Sequence, residues 1–159
     1  MSGLRAIVFI LLLPFPQVPR ALAQTPFADE LPAKADLREA IFRYMFKTYD
    51  YGPGVKFLCI DAERELPQAF LHRFSGNKVP VVSASECDHS GPMNAIRERK
   101  TGRRGLRMTI RSLEFVRGDQ ARANVETFSD GIAANGNSLE LVRKGNQWVI
   151  KSDKITGVS

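Results

Sequence analysis

Leu106-Arg107-Met108-Thr109-Ile110-Arg111-Ser112-Leu113-Glu114-Phe115-Val116 is the stretch that decides the fold. Leu106, Met108 and Ile110 alternate with polar neighbours, the period of a strand with one buried face. The parity then breaks, and Leu113 and Phe115 continue the apolar face one residue out of step. One extra residue in one strand of a pair has this effect, and such a β-bulge bends the sheet. The stretch is predicted to be a long, bent strand.

Working toward the C-terminus, Gly118-Asp119 reads as a turn and Gln120–Phe128 as a further strand. Ser129–Asn137 is a polar segment with two glycines, expected to be a loop. Ser138–Lys144 and Gln147–Lys154 form a last hairpin through Gly145-Asn146, a suitable tight-turn pair, with Trp148 and Ile150 on one face. In the other direction, Met93–Arg97 is expected to pair with the long strand through the turn Arg99-Lys100-Thr101-Gly102-Arg103. Val79–Cys87 reads as a strand with Pro80 near its start, where a missing donor costs least. Val55–Ile60 is a short apolar strand, followed by a turn at Asp61–Glu65.

Two helices are expected upstream of the β-rich half. In the first, Asp36 is predicted to be the N-cap, with Glu39 completing a capping box. Leu37, Ala40, Ile41, Tyr44, Met45 and Thr48 recur at helical spacing as a buried stripe, with Arg38, Glu39, Arg43 and Lys47 mainly opposite. Gly52-Pro53-Gly54 ends it. The second starts with Pro67 in its first position, buries Phe70, Leu71 and Phe74, and closes at Gly76. Helices first and strands after define an α+β class, a curved antiparallel sheet wrapped over two or three helices.

This layout, with Phe57-Leu58-Cys59-Ile60-Asp61, Ser85-Glu86-Cys87, Thr101-Gly102-Arg103-Arg104-Gly105 and the ending from Leu141 to Lys154, resembles the nuclear transport factor 2-like superfamily. The fold of that superfamily is a cystatin-like α+β roll, and the resemblance is to its exported bacterial members above all. It implies a cone-shaped cavity between sheet and helices. Some members place an acid/base Asp or His there, as in ketosteroid isomerase, polyketide cyclases and scytalone dehydratase. Others only bind a ligand or pair through the sheet. None of those catalytic sets maps residue by residue onto this sequence, and fold analogy cannot choose among the functions.

The first 23 residues carry the order of a secretory signal peptide. Arg5 precedes the apolar run Ala6–Leu13, Pro14, Pro16 and Pro19 follow, and Ala21-Leu22-Ala23 offers a cleavage site before Gln24. The run is well short of the ~20 residues a membrane-spanning helix needs. The expected product is a periplasmic or secreted domain with no integral membrane segment after cleavage. Removing 23 residues from 159 leaves 136, one ordinary domain, of which residues 24–35 read as a flexible lead-in and 36–159 as the folded part. Arg5 and Arg20 leave with the leader, taking the net charge from +6 to +4. That modest excess, without an aromatic-plus-basic motif, argues against nucleic acid.

Cys59 and Cys87 are the only cysteines. An exported chain lets them pair, and a disulfide is the expectation, two buried thiols the alternative. Among titratable groups, Asp61 directly follows a buried strand and either caps the next turn or serves as a proton shuttle. Glu86 and His89 lie in the polar run Ser85-Glu86-Cys87-Asp88-His89-Ser90, where a buried histidine beside a carboxylate would be a general base and an exposed one merely part of a loop. His72 points away from the Phe70/Phe74 face. Two distant histidines without ligand spacing predict no metal site, and no cofactor motif is present. Arg97, Arg99, Lys100, Arg103 and Arg104 form the one pronounced basic cluster, either a solvated hairpin tip or a dock for an anionic surface or partner.

Three functional readings follow. The first is non-catalytic binding of a small apolar or acidic ligand in a cavity, or of a protein partner through the sheet, which also leaves homodimerisation open. The second is a cavity enzyme of isomerase, dehydratase or cyclase type using Asp61, Glu86 and His89. The third is an envelope accessory factor docking through the basic hairpin.

Overall fold

A computed structural model describes residues 32–49, 52–89, 95–129 and 134–158. The signal peptide, most of the lead-in, Ser90 and the Met93 end of the predicted hairpin strand lie outside them.

The fold is α+β, a mostly β structure with two helices. Helix α1 (Pro32–Thr48) is followed by β1 (Leu58–Asp61), α2 (Gln68–Leu71), β2 (Val81–Ser83), β3 (Cys87–His89), β4 (Ile96–Glu98), β5 (Leu106–Arg117), β6 (Gln120–Phe128), β7 (Ala134–Lys144) and β8 (Gln147–Val158). Six strands form one sheet in the order β2-β1-β5-β6-β7-β8, and β3 and β4 form a separate antiparallel pair. From β5 to β8 the sheet is an antiparallel meander. The expectation of a wholly antiparallel sheet fails at the other end, because β1 runs parallel to both β2 and β5. The short α2 supplies the β1–β2 crossover that parallel strands require.

The bent strand is present, and its bulge falls where the parity breaks. Ile110 pairs with Val125 and Ser112 with Asn124, so Arg111 is the extra residue. Leu106, Met108, Ile110 and Leu113 then all face the core with Ala121, Ala123 and Val125 of β6. The predicted turns at Gly118-Asp119 and Gly145-Asn146 are in place, the latter with Gly145 at φ +60°. Strand β8 carries two further shifts. Leu141 pairs with Ile150 and Glu140 with Ser152, leaving Lys151 extra, and a second shift near Gly136 leaves Thr156 extra.

Several expectations are corrected. Helix α1 begins at Pro32, upstream of Asp36, because proline is tolerated in the first turn, where no N–H partner is needed. Asp36 is therefore not a cap, and its Oδ1 accepts a hydrogen bond from Arg73 Nη1 at 2.8 Å. The buried face of α1 is rotated from the predicted stripe: Leu37, Ile41 and Met45 are joined by Phe42 and Phe46, and Thr48 is exposed. Arg38, expected on the solvent side, is buried at 1 %, with Nη2 3.8 Å from Glu63 Oε2. Helix α2 and the following 3₁₀ turn bury Phe70, Leu71 and Phe74 as expected, and Phe70 and Phe74 pack edge-on against Phe42 at 6.3–6.4 Å. Pro67 caps α2 instead of opening it.

The predicted strand Val79–Cys87 is broken by a 3₁₀ turn at Ala84–Glu86. That turn carries the chain out of the main sheet, and β3 pairs with β4. Strand β4 accordingly does not pair with β5 itself; across the turn, an Arg97–Arg104 bridge and the bonds from Glu98 N–H to Arg103 O (3.0 Å) and from Gly105 N–H to Ile96 O (2.9 Å) join it to the residues just before β5, while β1 occupies the neighbouring edge of β5. Part of the predicted loop at Ser129–Asn137 is strand, since β7 begins at Ala134.

The sheet thus has two covered faces. Leu58 and Ile60 point to the main core under α1 and α2, whereas Phe57 and Cys59 point the other way and form a second core with Cys87 and Ile96. Cys59 and Cys87 lie at disulfide distance, with sulfurs 2.10 Å apart, and tie β1 to β3 across this second core.

Candidate functional site

Chemistry-bearing side chains gather on both faces of the sheet. On the second face, Arg107 of β5 stands beside Cys59 of β1 in the parallel register. Its Nη2 donates to Asp61 Oδ2, and its Nη1 lies 2.8 Å from His89 Nε2. Asp61 and His89, two of the residues singled out in the sequence, are brought together by a guanidinium that sequence reasoning passed over as one polar position in a strand. Because arginine only donates, His89 Nε2 must accept, which places the neutral ring's proton on Nδ1. The ring stacks on Phe128 at 5.3 Å, and His89 is exposed. This cluster is an ion pair with an aromatic shelf at the rim of the second core, and Asp61 caps no turn there.

Glu86 is elsewhere. Its carboxylate is 3.7 Å from Lys100 Nζ, and with His72 it borders a shallow groove of about 330 Å³ beside α2. Nearby, Glu65 accepts hydrogen bonds from Ser83 and, at 2.7 Å, from Ser85. Ser83 and Ser85 are thus committed to a loop carboxylate.

Much of the basic cluster is engaged internally. Arg103 donates through Nε and Nη2 to Glu98 Oε2 at 2.9 and 2.7 Å. Hydrogen bonds from Thr101 and Arg103 hold the Glu98 carboxyl below its ordinary range. Arg99 Nε donates to Cys87 O at 3.0 Å and Arg97 Nη1 to Gly102 O at 2.9 Å. Gly102, at φ +67°, makes the tight turn that aims these side chains back at the chain.

The other face holds a cleft of about 400 Å³ between the end of α1 and strands β7 and β8, lined by Thr48, Tyr49, Asn135, Asn137, Asp153 and Ile155. That volume lies within the range of small-molecule sites. Asp153 Oδ2 accepts from Tyr44 Oη at 2.8 Å, and Oδ1 accepts from the Asn137 side-chain amide. The Tyr49 hydroxyl is buried and has no hydrogen-bond partner among the described residues. Burial, then the charge of Asp153, then Tyr44 push the Tyr49 hydroxyl up to about 12. Burial and the bond to Asp153 also raise Tyr44.

Sequence reasoning missed this site for a definite reason. Alternation from Trp148 and Ile150 puts Ser152 and Lys154 inward and Asp153 outward. The extra residue Lys151 inverts that parity, so Asp153 sits opposite the fully buried Leu139. Tyr44 was legible only as part of a core stripe, and Asn137 only as part of a loop.

A buried hydroxyl without a partner costs stability, whereas a hydroxyl bonded to a carboxylate contributes to it. Tyr49→Phe is therefore expected to leave the urea midpoint unchanged or to raise stability by up to about 1 kcal/mol, and Tyr44→Phe to lower it by about 1 kcal/mol. The wild type should also lose stability as pH rises from 10 to about 12, where the unfolded chain has released the Tyr49 proton and the folded chain still holds it. That loss should shrink in Tyr49→Phe. A larger destabilisation from Tyr49→Phe than from Tyr44→Phe would show that the hydroxyl serves the fold.

Among the described residues there is no group of three or more His, Cys, Asp or Glu side chains arranged to hold a metal ion, and no helix is long and apolar enough to cross a membrane. Comparison with protein-family models, with curated proteins and with solved structures returned no match.

Proposed function

We propose that the protein is an exported binding domain that takes a small ligand, without catalysis, in the cleft between α1 and the β7–β8 hairpin. The observation that carries this reading is the Tyr49 hydroxyl, a buried polar group in the cleft wall that makes no hydrogen bond among the described residues. Buried polar groups are paired in native proteins unless something else uses them. A ligand atom hydrogen-bonded to Tyr49 accounts for its retention. The leader-like order of residues 1–23 and the Cys59–Cys87 pair support export. The helix-then-meander order, bent at Arg111, supports kinship with the nuclear transport factor 2-like roll, whose cavity lies between helices and sheet.

An acid/base enzyme is the second reading. The observation favouring it is a cleft carboxylate, Asp153, that accepts from Tyr44 and lies near a second tyrosine, Tyr49. It would run through Asp153 and not through Asp61, Glu86 or His89, none of which lines that cleft.

The test is mass spectrometry of small molecules extracted from protein purified from the periplasm, beside a Thr48→Trp variant whose indole would fill the cleft. A compound that accompanies the wild type and is depleted in the variant is expected. Identical extracts from two folded proteins would remove the cleft as the binding site.

A further inference from the structure

We propose that the cleft receives the primary ammonium group of a small amine with an apolar body. This deepens the ligand-binding reading and rests on it. Asp153 carries two hydrogen bonds, both from neutral donors, Tyr44 and Asn137. Among the described residues it makes no ion pair, whereas Asp61, Glu63, Glu86 and Glu98 each have a cationic partner. A half-buried carboxylate left uncompensated is costly, and an organic cation is the ligand chemistry that offsets the cost.

Donor counting narrows the cation. The Asn137 amide nitrogen is spent on Asp153, which leaves its amide oxygen as an acceptor. The Tyr49 oxygen is a second acceptor and the Asp153 carboxylate, with lone pairs to spare, a third. A primary ammonium has three N–H donors, matching these three acceptors, whereas a carboxylate ligand would meet only the Tyr49 proton and would be repelled by Asp153. Ile155, 73 % exposed on the cleft wall, and the Tyr49 ring suit an apolar body behind the charged head.

The experiment titrates full-length mature protein with n-hexylamine, n-hexanol and hexanoate, three probes that share one apolar body. Binding is followed by calorimetry and by the ¹³Cζ resonance of Tyr49. Hexylamine is expected to bind at least tenfold more tightly than hexanol, with a shift at Tyr49 and no binding of hexanoate. Asp153→Asn should abolish the preference for amine over alcohol, and Tyr49→Phe, which leaves the fold intact, should weaken the amine severalfold. Equal binding of hexylamine and hexanol at the Tyr49 site, or preference for hexanoate, would overturn the ammonium assignment while leaving a ligand-binding cleft. Failure of all three to perturb Tyr49 at millimolar concentration would overturn both.

Discussion

Replacing Cys59 and Cys87 together by alanine is expected to lower stability by about 3–4 kcal/mol, a fall of roughly 10 °C in Tm. The two residues are 28 apart in sequence, and releasing a loop of that size returns this much conformational entropy to the unfolded chain in the chain-entropy model. The native state loses as well, since among the described residues the second core consists of Phe57, Cys59, Cys87 and Ile96 with Val82 and Phe128 packed around it. Strands β3 and β4 pair over three residues each and have no place in the main sheet, so their anchorage depends on this small cluster. Thermal denaturation of the wild type with and without a strong reductant, beside the double variant, measures the effect. The reduced wild type and the variant should coincide within about 1 kcal/mol, and a wild type indifferent to reductant would show that the bridge contributes nothing.

Gly105→Ala should be nearly as damaging, with a loss of about 3 kcal/mol or failure to accumulate as folded protein. Gly105 sits just before β5 and donates its N–H to Ile96 O at 2.9 Å, joining the two sheets. A methyl group there would lie 2.7 Å from Phe57 Cε2 and closer still to Cζ and Cε1. Phe57 is fully buried in the second core and has nowhere to swing, so the ring or the strand must move. Gly102 offers an internal contrast, because its φ of +67° and open surroundings make substitution there a matter of backbone strain alone. The double variant Gly105→Ala/Phe57→Leu, which removes the edge of the ring, should recover part of the loss. If Gly105→Ala unfolds at the wild-type urea concentration, the close approach of ring and backbone is not a feature of the native state.

Local signals carried much of the β5–β8 meander. The parity break at Ile110/Leu113, the Gly118-Asp119 and Gly145-Asn146 turns and the span of β6 are all readable because each depends on neighbours within two residues. Pairing over long separations was not readable. That β1 lies parallel to β5, and that Val79–Cys87 splits at Ala84, follows from which surfaces meet in three dimensions, and a run of valine and serine is equally at home in one strand or two. The burial of Arg38 belongs to the same class, since its place inside depends on where the Glu63 loop ends up. The cysteine pair was legible from composition and expected compartment. The Asp61–Arg107–His89 cluster was half legible, with two of its three members identified. Asp153 was hidden by a shift in strand register.

That shift has an evolutionary corollary. Lys151 contributes no side chain to the cleft, yet its place outside the ladder decides whether a carboxylate or its neighbours Ser152 and Lys154 line it. The acidity of the cavity thus survives loss of the Lys151 codon, which would leave Ser152 opposite Glu140 and Asp153 opposite Leu139 in an unbroken ladder, whereas smoothing the bulge with Lys151 retained would turn a hydroxyl and a cation inward without a single substitution.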